Sequence, residues 1–212
     1  MTISRDQFVI WVKSFADVIA ENKEYLTELD SAIGDADHGI NMNRGFQAVL
    51  AKLPAFANQD IGSIAKNVGM VLISTVGGAS GPLYGTFFMQ VSKETTGKME
   101  LTLSDWVAAL ESAVNGVMLR GKANPGDKTM LDSLIPALNA LKESNARGAS
   151  LAEALSVSEK AAEQGMLATT PWVAKKGRAS YLGERSAGTQ DPGATSSYLL
   201  LKAAARTWGN SE

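Results

Sequence analysis

Between Asp30 and Asn41 the chain reads D-S-A-I-G-D-A-D-H-G-I-N, which puts three carboxylates, the only histidine and an asparagine into one short segment. Gly34 and Gly39 let the backbone bend between the acids. Carboxylates so crowded repel one another unless a cation sits among them. A hard ion with oxygen ligands, Mg2+ or Ca2+, suits that donor set. Helix capping is the bland alternative, because Asp and Asn are favoured at helix starts. It accounts for one or two acids, not for three within eight residues. An EF-hand loop fails, since its twelfth position is Phe46 instead of a bidentate glutamate and its glycine comes one residue early. Mg2+ fits better, because it takes a few carboxylates, keeps waters and fills its shell with substrate phosphates. A lone histidine is more often structural; beside these acids His38 is a candidate phosphate ligand or proton carrier.

Three further segments carry unusual polar chemistry. In Gly77-Gly78-Ala79-Ser80-Gly81-Pro82-Leu83-Tyr84-Gly85 the glycines admit a close backbone approach, and the loop enters a helix whose free N–H groups favour an anion. A tight turn between buried helices explains the same glycines equally well. Gly121-Lys122-Ala123-Asn124-Pro125-Gly126-Asp127-Lys128-Thr129 resembles a P-loop only superficially. Asp127 interrupts the required glycine-rich run into Lys-Ser/Thr, and a helix precedes the loop where a P-loop follows a strand. The stretch from Lys175 to Gly193 holds Arg178, Tyr181, Glu184, Arg185 and Asp191 among glycines. Long ordered loops in compact domains are often functional, and Arg178 offers a two-pronged phosphate donor. The alternative is a solvated loop whose charges pair with one another.

Helices must position these segments. Phe8, Trp11, Val12, Phe15, Val18 and Ile19 follow the helical rhythm, and Ser4 with Gln7 is spaced as a capping box. Further helices are expected over about Gly39 to Lys52 (ended by Pro54), Ile61 to Thr75, and Pro82 to Lys93. Others follow the Thr102 cap and Thr129, the latter kinked at Pro136; another opens at Ser150 with Glu153 and runs to about Thr169, and the last covers about Gly193 to Thr207. Strand alternation is scarce. Eight helices fit one all-α domain.

Composition sets outer limits. The 212 residues suffice for one sizeable core. A formal net charge of −2 argues against a nucleic-acid surface. The absence of cysteine excludes disulfides, zinc–thiolate sites and thiol catalysis. No apolar run approaches the roughly 20 residues that span a bilayer, and the start, M-T-I-S-R-D-Q, has no apolar signal core, so no membrane association and a cytoplasmic location are expected.

Four segments in order, D-x-x-x-G-D-A-D-H-G-x-N-M-x-R-G, G-G-A-S-G-P-L-Y-G, G-D-K-T-M-L-D and G-R-A-S-Y-L-G-E-R…D-P-G-A-T-S, resemble the nucleotide-binding L-subunit family of dihydroxyacetone kinases. The resemblance spans essentially the whole chain and implies one domain over 1–212, a barrel of eight antiparallel helices with glycine-rich loops forming a nucleotide site at one end. It implies that Asp30, Asp35 and Asp37 hold two Mg2+ ions. It places His38, Gly39, Ile40, Asn41, Ala79, Ser80, Gly121, Met130, Arg178, Asp191, Pro192 and Gly193 around ADP or ATP, with Asp30, Asp35, Asp37, His38 and Arg178 serving catalysis. In the mode it favours, ADP stays bound. A phosphohistidine M subunit of the sugar phosphotransferase system rephosphorylates it, and the phosphoryl passes to dihydroxyacetone on a partner K subunit. Two rivals are the nucleotide subunit of an ATP-dependent keto-sugar kinase and a module whose nucleotide state is read by a transcription regulator.

Overall fold

The Ser4 hydroxyl accepts from the Gln7 N–H at 3.2 Å while the Gln7 side chain accepts from the Ser4 N–H at 2.7 Å, and this reciprocal box opens α1 (Arg5–Glu21). The structure, a computed structural model, describes residues 2–209. After α1 come α2 (Lys23–Ile33), α3 (His38–Lys52), α4 (Ile61–Thr75), α5 (Ser80–Thr95) and α6 (Leu103–Gly121). The chain continues through α7 (Leu131–Ala146), α8 (Leu151–Ala168) and α9 (Pro192–Trp208). Short 3₁₀ turns cover Leu53–Ala55, where Pro54 ends α3, and Arg178–Ser186, where Gly183 breaks the helical backbone. The strands among the described residues are the two-residue β1 (Ile3–Ser4) and β2 (Glu100–Leu101), paired antiparallel with Ile3 opposite Leu101.

The periodicity predicts eight helices, and the described residues form nine. The extra one is α2, whose buried side is Leu26, Asp30 and Ile33. An aspartate stands there in the middle of what would otherwise be an apolar stripe, so the helical pattern is broken at the position that matters most for chemistry. Thr102 caps α6 in a full box with Asp105, and Ser150 caps α8 by accepting from the Glu153 N–H.

Each helix packs on its successor from α2 to α9, and α9 returns to pack on α1. Trp11 of α1, Trp106 of α6 and Trp208 of α9 lock that closure, with ring centroids 4.8 to 5.6 Å apart. The indoles are not left unsatisfied: Trp11 donates to the Leu200 carbonyl and Trp208 to the Gln7 carbonyl, both at 3.1 Å. The fold is thus a mostly helical single domain.

Helix α7 runs on through Pro136. Proline lacks the N–H that the Asp132 carbonyl would receive four residues on. Gly165 of α8 packs against that same carbonyl, and a Cβ there would lie 2.0 Å from the oxygen. Gly165→Ala is therefore expected to destabilise the protein by about 1–3 kcal/mol through overpacking. Thermal unfolding reads this as a lower melting temperature, and an unchanged one would mean that the two backbones are not in this contact.

Candidate functional site

Asp30 sits in the last turn of α2, and its Oδ2 accepts the Asp37 N–H at 2.8 Å and the His38 N–H at 3.1 Å. One carboxylate thus fixes the turn between α2 and α3. The turn has no room to spare: a Cβ on Gly34 would lie 2.1 Å from Asp30 Oδ1. Ala36, between the other two acids, adopts a left-handed backbone with φ 60°, which is strained for a residue with a Cβ. This geometry brings one oxygen each from Asp30, Asp35 and Asp37 within 4.8 Å of one another. Arg178 Nε pairs with Asp35 Oδ2 at 3.0 Å. The donor set, carboxylates alone in a strained and tightly packed turn, fits a hard divalent cation such as Mg2+.

A cavity of about 510 Å³ opens beside the cluster, large enough for a small-molecule ligand. His38, Ser80, Leu131 and Pro192, the first residues of α3, α5, α7 and α9, all line it. Ile33 and Gly121, the last residues of α2 and α6, line it as well. Four helix starts aim partial positive charge at one space, the arrangement that binds anions. Leu83, Val117, Ala123 and Met130 give the wall an apolar side.

His38 is buried, with Nδ1 3.0 Å from Ser80 Oγ and Nε2 2.9 Å from Ser196 Oγ. Ser196 Oγ donates to the Gly193 carbonyl and accepts from Tyr84 OH at 2.7 Å. With that hydroxyl hydrogen spent, Nε2 carries the imidazole proton and Nδ1 accepts from Ser80. Burial pushes His38 down to about 4 despite the opposing pull of Asp30 and Asp37. Burial pushes Tyr84 up to about 12. Asp191 caps α9, with Oδ2 2.6 Å from the Ala194 N–H, and burial raises it to about 7, with Asp132 adding to the rise.

The structure gathers Asp30, Asp35, Asp37, His38, Ala79 and Ser80 on the cavity wall, joined by Gly121, Met130, Arg178, Asp191, Pro192 and Gly193. Three residues named by the resemblance stand off it. Gly39 serves packing, since a Cβ there would lie 2.0 Å from the Lys23 carbonyl of α2. Ile40 is half exposed on the outer side of α3. Asn41 is buried beneath Gly77 and accepts from Arg44 at 2.7 Å.

Two residues of the wall and its frame escaped the sequence reading. Lys128 is buried, with its ammonium on two carbonyls. Asp132 accepts the Gly126 and Thr129 N–H groups at 2.6 and 2.8 Å and so shapes the loop before α7. The G-D-K-T-M-L-D run was the available signal: an aspartate four residues after a lysine, at a helix start, reads as a loop-capping acid.

The pattern of the DAK2 domain family matches residues 32–206. Over 202 residues the chain is 50% identical to a protein of Escherichia coli, "PEP-dependent dihydroxyacetone kinase, ADP-binding subunit DhaL", covering 95% of this chain and 96% of that one. It is 42% identical over 197 residues to the Lactococcus lactis "PTS-dependent dihydroxyacetone kinase, ADP-binding subunit DhaL", covering 93% and 94%. The solved dihydroxyacetone kinase of C. freundii in its native form shares the fold, with TM-score 0.71 and 24% identity over 94% of this chain and 34% of that one.

Because the chain has a single histidine, its ring resonances are unambiguous. In metal-free protein the His38 nitrogen shifts are expected to stay those of a neutral Nε2–H imidazole from pH 8 down to about 5, titrating near 4. A midpoint near the ordinary 6.5 would show that the ring is not sealed in. Stability is a poorer probe. The lowered His38 removes stability as pH falls from 6.5 toward 4, whereas the raised Asp191 removes it as pH rises from 3.8 toward 7, and the two oppose.

Proposed function

The chain belongs to the DAK2 domain family, and we propose on that footing that it is the ADP-binding subunit of a PEP-dependent dihydroxyacetone kinase. The observation that carries the reading is the convergence of three carboxylates and four helix starts on one cavity. The near full-length identity to subunits so named supports it. In this reading the domain takes the whole of 1–212. The closed ring of helices is a barrel of antiparallel neighbours, and its glycine-rich junctions form the nucleotide site at one end. Helices joined by short connections run antiparallel, which agrees with α3, α5, α7 and α9 beginning at the cavity and α2 and α6 ending there.

We assign the chain the relay in which a phosphohistidine M subunit of the phosphotransferase system hands a phosphoryl group to bound ADP, and dihydroxyacetone on a partner K subunit receives it. A cytoplasmic location goes with that reading; separately, no described helix is long and apolar enough to cross a membrane. Asp30, Asp35 and Asp37 would hold two Mg2+ ions, which when bound neutralise phosphate charge in the ground state and in transfer.

The remaining work falls to the chain's own groups. Asp30 is oriented by two backbone N–H groups before any ligand arrives. Arg178 rests on Asp35 and is mostly exposed, so it is free to turn its fork toward a phosphate when a cation takes its place at the acid. The start of α5, with Ala79 and Ser80, offers N–H groups that no side chain caps. Leu83, Val117 and Met130 supply apolar contact for a base and exclude water from that side. His38 is neutral and has both nitrogens bonded. It therefore acts as a fixed hydrogen-bonding strut, and the chain needs no phosphohistidine of its own.

Native mass spectrometry tests the relay: purified protein dialysed in Mg2+ is expected to retain ADP, and an empty site with rapid ATP exchange would favour the ATP-dependent alternative. Asp37→Asn removes one formal ligand charge and is expected to lower Mg2+ affinity on the order of tenfold or more, with ADP retention falling alongside. Undiminished retention in that variant would remove Asp37 from the metal site. EDTA is expected to lower the melting temperature of the ADP-loaded protein, because a ligand selective for the native state stabilises it; a melting temperature indifferent to EDTA would separate nucleotide binding from the acids.

A further inference from the structure

Between α8 and α9 the chain makes an excursion that carries Arg178. Its neck is closed where the Gly188 N–H donates to the Thr170 carbonyl at 2.7 Å. Two residues further in on each leg lie Trp172 and Ser186. Both of their carbonyls accept from one ammonium, that of Lys128, at 3.0 and 2.6 Å. The lysine reaches them from 44 and 58 residues away in the chain. Two more ties lie beside it: Lys175 N–H donates to the Asp127 carbonyl at 3.0 Å, and Ala174 N–H donates to Ser186 Oγ at 2.9 Å.

Lys128 is only 1% exposed, and its backbone is left-handed with φ 63°. Lysine is almost never buried so completely, and a side chain of this kind at positive φ is uncommon. Both features are unfavourable by themselves and persist only where the surroundings hold them. Burial lowers the lysine's pKa, and Asp191 is the charge that pulls it back up. The residues between the two clamped carbonyls include Lys175, Lys176, Arg178 and Arg185 against Glu184. Besides the ties above, a small apolar cluster of Ala174, Ala179 and Leu182 on Ile33 of α2 holds this cationic arm. The Arg178–Asp35 pair has side chains 68% and 35% exposed, and an ion pair in that setting contributes about 0–1 kcal/mol. Charge-assisted hydrogen bonds from a buried ammonium are the stronger tie.

Building on the nucleotide-site reading above, we infer that Lys128 is a positioning residue: it fastens both legs of the 170–188 excursion and thereby holds Arg178 over the acidic cluster. It acts through Arg178 and not on the phosphates directly.

Four proteins test this: wild type, Lys128→Met, Arg178→Ala and the double variant. In nucleotide-free protein, hydrogen–deuterium exchange over 172–188 is expected to be at least about tenfold faster in Lys128→Met. Unchanged protection would overturn the clamp. This arm needs no nucleotide, so it stands even if wild type proves not to bind Mg–ADP, a result that would sink the functional reading alone. In calorimetric titration with Mg–ADP, Lys128→Met is expected to weaken binding about tenfold in the wild-type background and less than about twofold in the Arg178→Ala background. An equal loss in both backgrounds would show a merely structural lysine and overturn the positioning role. Should Lys128→Met fail to fold, Lys128→Gln, whose shorter, uncharged side chain keeps an amide with two N–H donors but loses the ammonium charge, carries the same comparison.

Discussion

Asp30, Asp35 and Asp37 hold ligand oxygens within 4.8 Å of one another, and the surrounding structure answers to that concentration of negative charge. At such a separation and an effective dielectric of about 20, each pair of ionised carboxylates repels by roughly 3–4 kcal/mol. Among the described residues the ion pair at the cluster is Arg178 with Asp35, which is solvent-exposed and contributes about 0–1 kcal/mol. It does not balance three acids. Two backbone N–H groups on Asp30 offset part of the cost, and the nearby helix starts offset more. A divalent cation is the group whose charge matches the remainder. The same reasoning explains why the turn is built from Gly34 and a strained Ala36: a relaxed turn would let the acids part.

Behind the acids the floor of the cavity drifts toward neutrality. Burial keeps His38 uncharged at pH 7 and holds Asp191 near half protonation, at about 7. Tyr84, Ser80, Ser196 and Ser197 complete a chain of neutral hydrogen bonds around the imidazole. Charge at the mouth lies in the acid cluster and the arginine arm, while the surroundings of the imidazole are dipolar and fixed. An anion entering such a site meets oriented donors that have no counter-charge to give up.

The helical pattern was legible where helices bury apolar stripes. The predicted Ile61–Thr75 span coincides with α4, and the caps at Ser4, Thr102 and Ser150 stand where their spacing put them. It failed at α2, because the buried position at the centre of its stripe is Asp30. A functional residue had displaced the signal that reveals the element. The site was legible as a set of segments but not residue by residue. His38, Gly39, Ile40 and Asn41 are contiguous in the motif, yet successive helical residues point about 100° apart. His38 faces the cavity, Gly39 meets α2, Ile40 faces outward and Asn41 lies under Gly77. Lys128 was unreadable for the opposite reason, since lysine in a loop is ordinarily solvated.

The distribution of helix caps says the most about where a ligand belongs. Helices α1, α4, α6 and α8 each begin on a Ser, Thr or Asp whose side chain accepts a first-turn N–H. Helix α2 follows α1 through Asn22 alone. At the cavity the habit changes, and α3, α5 and α7 have no side-chain cap of their own. Asp30 replaces the cap at α3 from the preceding helix, and Asp132 ties the loop before α7 from within it. Asp191 caps α9 directly, yet burial raises that carboxyl to about 7. Of the four helix starts on the cavity, α5, with Ala79 at its cap position, has neither its own cap nor a borrowed side-chain acceptor. The first N–H groups of that helix open on the cavity with no side-chain partner. In a wall where carboxylates serve the starts of α3 and α9, and Thr129 Oγ1 accepts the Leu131 N–H at the start of α7, the uncapped start of α5 is where an anionic group brought by a ligand fits, with Ser80 beside it and the acid cluster on the same cavity wall.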